Sequence, residues 1–140
     1  MATINGTSGN DPLTGTAAND FIYGFEGDDT INGGAGADEI HAGAGNDTIT
    51  DTSGQDYILA EDGDDHIIVT VTNGTGAIHG QAGSDTVDLT INGNARSYYV
   101  GLDEGNDLLN LHSMNVTAGI ERLDKCRIVR KVSEKPELDL

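Results

Sequence analysis

The stretch from Gly33 to Thr50, GGAGADEIHAGAGNDTIT, is one nine-residue phrase written twice. Asp38 and Asp47 fall nine apart, as do Ile40 and Ile49, with glycines and alanines between them. Glycine costs a helix about 1 kcal/mol relative to alanine, and a turn every few residues interrupts ordinary strands. Followed outward at the same period, seven consecutive units run from Gly6 to Ile68: GTSGNDPLT, GTAANDFIY, GFEGDDTIN, GGAGADEIH, AGAGNDTIT, DTSGQDYIL and AEDGDDHII. The sixth position is aspartate in all seven (Asp11, Asp20, Asp29, Asp38, Asp47, Asp56, Asp65). The eighth is always aliphatic: Leu13, Ile22, Ile31, Ile40, Ile49, Ile58 and Ile67.

Each position has a physical role. Small residues at positions 1, 2 and 4 allow the backbone angles of a turn. Positions 7–9 predict a strand of about three residues with only the middle side chain pointing inward. So short a strand is not stable alone, so units must stack and pool their aliphatic residues. Two nines make a coil of 18, with a strand on each side and a turn at each end. Asp11, Asp29, Asp47 and Asp65 then form one column and Asp20, Asp38 and Asp56 another. Neighbours in a column sit about 4.8 Å apart, the spacing of parallel strands. Bare carboxylates that close repel, and a hard cation taking six to eight oxygens at roughly 2.3–2.6 Å answers the repulsion. That ion is calcium, because magnesium demands a tighter octahedron and gives up water reluctantly.

Composition sets the bounds. The 140 residues suit one domain, and with 4% aromatic residues a large globular core is not expected. The formal charge of −17 argues against nucleic acid and anionic membrane surfaces as partners. Such a chain resembles a disordered one until its aliphatic register is noticed. Residues 1–120 hold 19 acidic side chains and one basic, Arg96, whereas residues 121–140 hold five acidic and six basic. No stretch approaches a membrane span, and the first ten residues lack the basic and apolar regions of a secretory signal. A single cysteine, Cys126, excludes an internal disulfide.

The units resemble the GGxGxDxUx consensus of the RTX (repeats-in-toxin) calcium-binding nonapeptide family, closely over residues 6–68 and loosely over 69–120. The resemblance implies an all-β fold, a right-handed parallel β-roll, with calcium held between successive coils. One turn gives carbonyls at positions 2 and 4 plus its aspartate, and the turn a coil later gives carbonyls at positions 1 and 3 plus its own. On that pattern Phe25, Gly27 and Asp29 meet Ala42, Ala44 and Asp47, while Gly34, Gly36 and Asp38 meet Asp51, Ser53 and Asp56. Gly43, Gly45 and Asp47 likewise meet Asp62 and Asp65. The pattern loosens after Ile68: Gly76 stands where an aspartate is expected, so the second column should stop binding there. GQAGSDTVD at 80–88 restores Asp85 and Val87, and LDEGNDLLN at 102–110 is a last degenerate copy with Asp107 and Leu109. The expected load is on the order of five or six calcium ions.

Other motifs carry less. GGAGAD lacks the following helix and the lysine of a phosphate loop. Adjacent acids such as Asp28–Asp29 sit in the calcium turns or in solvent, which leaves no catalytic dyad and no expected enzyme activity. His41, His66, His79 and His112 occupy different unit positions and read as structural or exposed. Phe21, Tyr23 and Tyr57 fall on one outer face, which either docks a protein or polysaccharide partner or is covered by the C-terminal segment. The tail, ERLDKCRIVRKVSEKPELDL at 121–140, is expected to be a cap on the open end of the roll or an export signal. The functional expectation is a secreted, non-enzymatic roll that folds on meeting external calcium after type I export. Its alternatives are an accessory module of an exported protease, lipase or alginate epimerase, and a self-associating surface protein. Met1, five residues ahead of the first repeat, is read as leaving no upstream catalytic domain.

Overall fold

The computed structural model describes the backbone of residues 1–114, 119–124 and 127–131. Its strands are β1 (Thr3–Asn5), β2 (Pro12–Thr14), β3 (Phe21–Glu26), β4 (Thr30–Asn32), β5 (Glu39–Ala44) and β6 (Thr48–Asp51), then β7 (Tyr57–Asp62), β8 (His66–Ala82), β9 (Thr86–Gly101), β10 (Leu108–Met114), β11 (Gly119–Asp124) and β12 (Arg127–Lys131). All pair in parallel, and among the described residues there is no helix. Strands β1, β3, β5 and β7 stack on one side and β2, β4 and β6 on the other, with β8 joining both stacks. The chain is a parallel β-roll.

The eighth position of every unit forms the spine of the core. Ile22, Ile40, Ile58 and Ile78 line one sheet and Ile31, Ile49, Ile67 and Val87 the other, all fully buried. Each such side chain contributes about 1.5–3 kcal/mol by leaving water. The two sheets are not alike, however. β2 and β4 are the expected three-residue strands with one inward side chain, but β3, β5 and β7 run six residues with two. The second inward place is the first position of the following unit, so Ala42 and Ala60 belong to the core. A strand's side chains alternate, so sixth, eighth and next-first positions share one face.

After Ile68 the coil lengthens. Asp65 bonds to Asp85 across 20 residues and Asp85 to Asp107 across 22, where earlier coils take 18. The added residues lie in β8 and β9, which run 17 and 16 residues from one sheet to the other. Along that edge VTVTNGTG at 69–76 replaces the glycine turn, and Val69, Val71, Leu89 and Ile91 fill it with apolar volume. β11 stacks on β9 and β12 on β10, so the backbone keeps coiling after the nine-residue signature has ended. Cys126 and residues 132–140, which include the ending expected to act as an export signal, lie outside the described residues.

Candidate metal centre

The sixth-position aspartates form two hydrogen-bonded ladders. In the first, the backbone N–H of Asp11 donates to Oδ1 of Asp29 at 2.8 Å, Asp29 to Asp47 at 2.7 Å and Asp47 to Asp65 at 2.7 Å. Asp65 then donates to Asp85 and Asp85 to Asp107, both at 3.0 Å. In the second, Ala2 donates to Asp20, Asp20 to Asp38 and Asp38 to Asp56 at 2.6, 2.8 and 3.0 Å. One oxygen of every carboxylate after Asp11 is thus spent on the preceding coil.

The other oxygen decides the chemistry. Oδ2 of Asp29, Asp38, Asp47, Asp65, Asp85 and Asp107 is buried without a partner, and so is Oδ2 of Asp51. A buried carboxylate oxygen left unpaired is costly, roughly 1–3 kcal/mol and more when charged. Burial is the first cause of the raised pKa values here. It pushes Asp47, Asp56 and Asp85 up to about 6 and Asp51 and Asp65 up to about 7, with neighbouring aspartates adding repulsion. Asp38 is raised for the same reason. A cation would lift both penalties.

The turns fit one. Phe25 has φ 79°, Gly27 113°, Gly34 97°, Gly36 138°, Gly43 112° and Gly45 140°, so positions 2 and 4 are left-handed. Their carbonyls face the next coil so closely that a Cβ on Gly43 would strike the Phe25 oxygen, and one on Gly45 the Gly27 oxygen. Ala44 and Asp62, at position 3, offer carbonyls that accept from Gly27 at 2.8 Å and Gly45 at 2.9 Å, each keeping a lone pair. Ala42, at position 1, turns its carbonyl toward Gly24, where Asp29 Oδ2 also lies. Oxygens alone, several carboxylate and the rest carbonyl, make a hard-cation donor set.

Three features were not legible in the repeat. Asp11 and Asp20, in the first coil, have satisfied second oxygens: Thr7 and Thr16 each donate both an N–H and a hydroxyl to them. Those bonds, Thr16 hydroxyl first, hold Asp20 below the usual carboxylate range. Asp107, from the most degenerate unit, is as buried as the others. Asp51, expected to give a carbonyl together with Ser53 and Asp56, turns its carboxylate inward to within 4.8 Å of Asp38 and Asp56, and its Oδ1 accepts from Ser53 at 3.2 Å. An inward-facing first position, invisible in a period of nine, explains the last case.

The outer face carries aromatic groups in two separate clusters. Tyr23 stacks on Phe25 and on His41 at centroid distances of 6.2 and 5.1 Å, while His79 lies between Tyr57 and Tyr99. Phe25 is the most open of these rings, and it borders a groove of about 480 Å³ with Tyr23, Glu26, His41, Glu61 and Gln81.

No curated protein and no solved structure matches the chain. The family model of the RTX calcium-binding nonapeptide repeat matches residues 5–40 and 41–69, in four copies. Buried oxygen ladders, left-handed turns and this match agree: residues 5–69 are similar to the RTX calcium-binding nonapeptide repeat, which indicates a roll of the calcium-binding type.

Proposed function

We propose that the protein is an extracellular module that folds when calcium becomes available and serves as a structural, secretion-assisting roll. The observation that carries this reading is the row of buried, partnerless Oδ2 atoms along the first ladder, from Asp29 to Asp107, with those of Asp38 and Asp51 at the second edge. Ligands would come from Asp29, Asp38, Asp47, Asp56, Asp65 and Asp85, with Asp11 and Asp20 at the open end. Carbonyls of Phe25, Gly27, Gly34, Gly36, Ala42, Gly43, Ala44, Gly45, Ser53 and Asp62 complete the shells, for on the order of five or six ions. Without cations, like charges oppose condensation and leave an expanded chain suited to type I export. Extracellular calcium modules work at about 10⁻⁴–10⁻³ M, concentrations met outside the cell. Far-UV circular dichroism in chelator and then in calcium tests this. The spectrum should gain cooperative β-structure with calcium and much less with magnesium; a fully folded spectrum in chelator would sink the reading.

The groove beside Phe25 favours a second role, as the accessory module of an exported enzyme. Aromatic faces flanked by Glu26, Glu61 and Asp62 suit sugar rings and their hydroxyls. Retention on neutral polysaccharide, lost in Phe25→Ala, is the expected result; equal retention of both proteins refutes it.

A further inference from the structure

At the second edge of the roll the first position of each unit reads Gly15, Gly33, Asp51, Val69 and Leu89, coil by coil. Asp51 therefore stands at the border between glycine turns and the apolar filling, in register with Val69 one coil on. Its carboxylate fills the space above Gly33, where a Cβ would strike its Oδ2. One Asp51 oxygen accepts from Ser53 and the other, fully buried, has no partner. Asp38 and Asp56 bring two more carboxylates within 4.8 Å.

A second, independent group points into the same place. The column that runs Asp20, Asp38, Asp56 continues to Gly76, and Gly76 is in register with Tyr98. Because Gly76 has no side chain, the Tyr98 ring folds back over it: a Cβ there would lie 2.5 Å from Cε2 and 2.9 Å from Cζ. The phenol end is thereby carried toward the coil of Asp56. Tyr98 is 2% exposed, and its hydroxyl has no hydrogen-bond partner. Burial, then the fields of Asp56 and Asp51, push its phenol up, which keeps it protonated.

We propose that the repeat site shared by Asp38 and Asp56 is completed by the Asp51 carboxylate and the Tyr98 hydroxyl into a cation site unlike the other repeat sites, one that fills first. This rests on the calcium-binding reading above, and adds to it a third carboxylate and a phenol lid. The repeat sites combine two carboxylates with turn carbonyls. Here three anionic side chains share an enclosed space, and affinity for a hard cation rises with ligand charge. The lid closes the second ladder where the next aspartate is missing, so the site holds its ion at the junction of the charged and apolar coils.

Terbium tests the proposal, because it takes calcium sites and emits when excited through a tyrosine beside it. In the full chain, tyrosine-sensitised emission should rise in the first, substoichiometric phase of a Tb³⁺ titration. Asp51→Gly, which installs the small residue of the other turns, should move that phase at least about tenfold higher in concentration. Asp51→Asn, of equal shape, should do the same, which guards against a folding defect in the glycine variant. Tyr98→Phe should abolish most of the early emission, whereas Tyr99→Phe should not. Early emission that keeps its midpoint in both Asp51 variants, or survives Tyr98→Phe, overturns the proposal. Calcium-induced dichroism of the unmodified chain separates the two claims: if that gain is intact while the terbium results are negative, only the special site is lost.

Discussion

The two edges of the roll close in different ways. Along the first, Asp11, Asp29, Asp47, Asp65, Asp85 and Asp107 form one unbroken ladder, with a glycine-bearing turn at each coil. Along the second, the ladder ends at Asp56, and Val69, Val71, Leu89, Ile91 and Tyr98 occupy the edge instead. The same strands and the same aliphatic column run between both edges. A coil can therefore be closed by buried charge awaiting a cation or by apolar volume, and only the first closure depends on solution conditions.

The contrast breaks most sharply at the middle of the first ladder. Asp47 accepts from Asp29 and donates to Asp65, and its Oδ2 is partnerless. Asp47→Ala should cost about 3–5 kcal/mol of calcium-dependent stability, the range for breaking a buried charged pair, read as a raised calcium midpoint in circular dichroism. At the apolar edge the effect should be comparable in size and different in kind. Leu89→Ala, at a fully buried position, should cost about 2–5 kcal/mol. Its thermal midpoint in saturating calcium should fall, while magnesium and calcium keep their relative effectiveness.

Acidification probes the same division in the calcium-free chain. A carboxyl raised from 3.8 to about 6, as at Asp47, costs the folded state about 3 kcal/mol at neutral pH. The native pKa lies above the unfolded one, so the folded state binds more protons between the two values. Its stability accordingly falls as pH rises from about 4 to about 7 and recovers on the way down. Metal-free protein should gain β-structure as pH is lowered through 7 to 5, driven by Asp51, Asp65, Asp47, Asp56 and Asp85. A flat dichroism signal over that range would mean that the ladders do not oppose folding.

Smaller effects sharpen the picture. Asp11→Ala should cost only about 1 kcal/mol, because Thr7 already satisfies the second oxygen and there is no earlier coil for the first to hold. Asp88→Asn should matter least, under about 1 kcal/mol. Its partly exposed carboxylate bonds to His66, Asn110 and His112, contacts that outweigh burial and hold it below the usual range.

Most of the roll was legible because its signals are strictly periodic. Asp29 and Ile31 recur every nine residues, and the 18-residue coil follows from their spacing. What escaped depends on departures from the period. Strands β5, β6 and β7 extend into the next unit, which turns Ala42, Asp51 and Ala60 inward, and small residues look alike whether they make a turn or face a core. Phe25 and Glu61 occupy left-handed positions at φ 79° and 80°, where small residues were expected. Neighbouring coils hold those turns, so the backbone accepts strain that local preference would avoid. The meeting of Tyr98 with Gly76 needs the 22-residue coil, which no nine-residue alignment contains.

The central claim is that calcium occupies the first ladder at the partnerless carboxylate oxygens. Anomalous diffraction from crystals grown in calcium measures this directly. Peaks should stand between successive turns, within calcium–oxygen distance (about 2.3–2.6 Å) of Oδ2 of Asp29, Asp47, Asp65 and Asp85. A folded roll with those oxygens bare, or with calcium confined to exposed carboxylates such as Asp28 and Asp64, would contradict it.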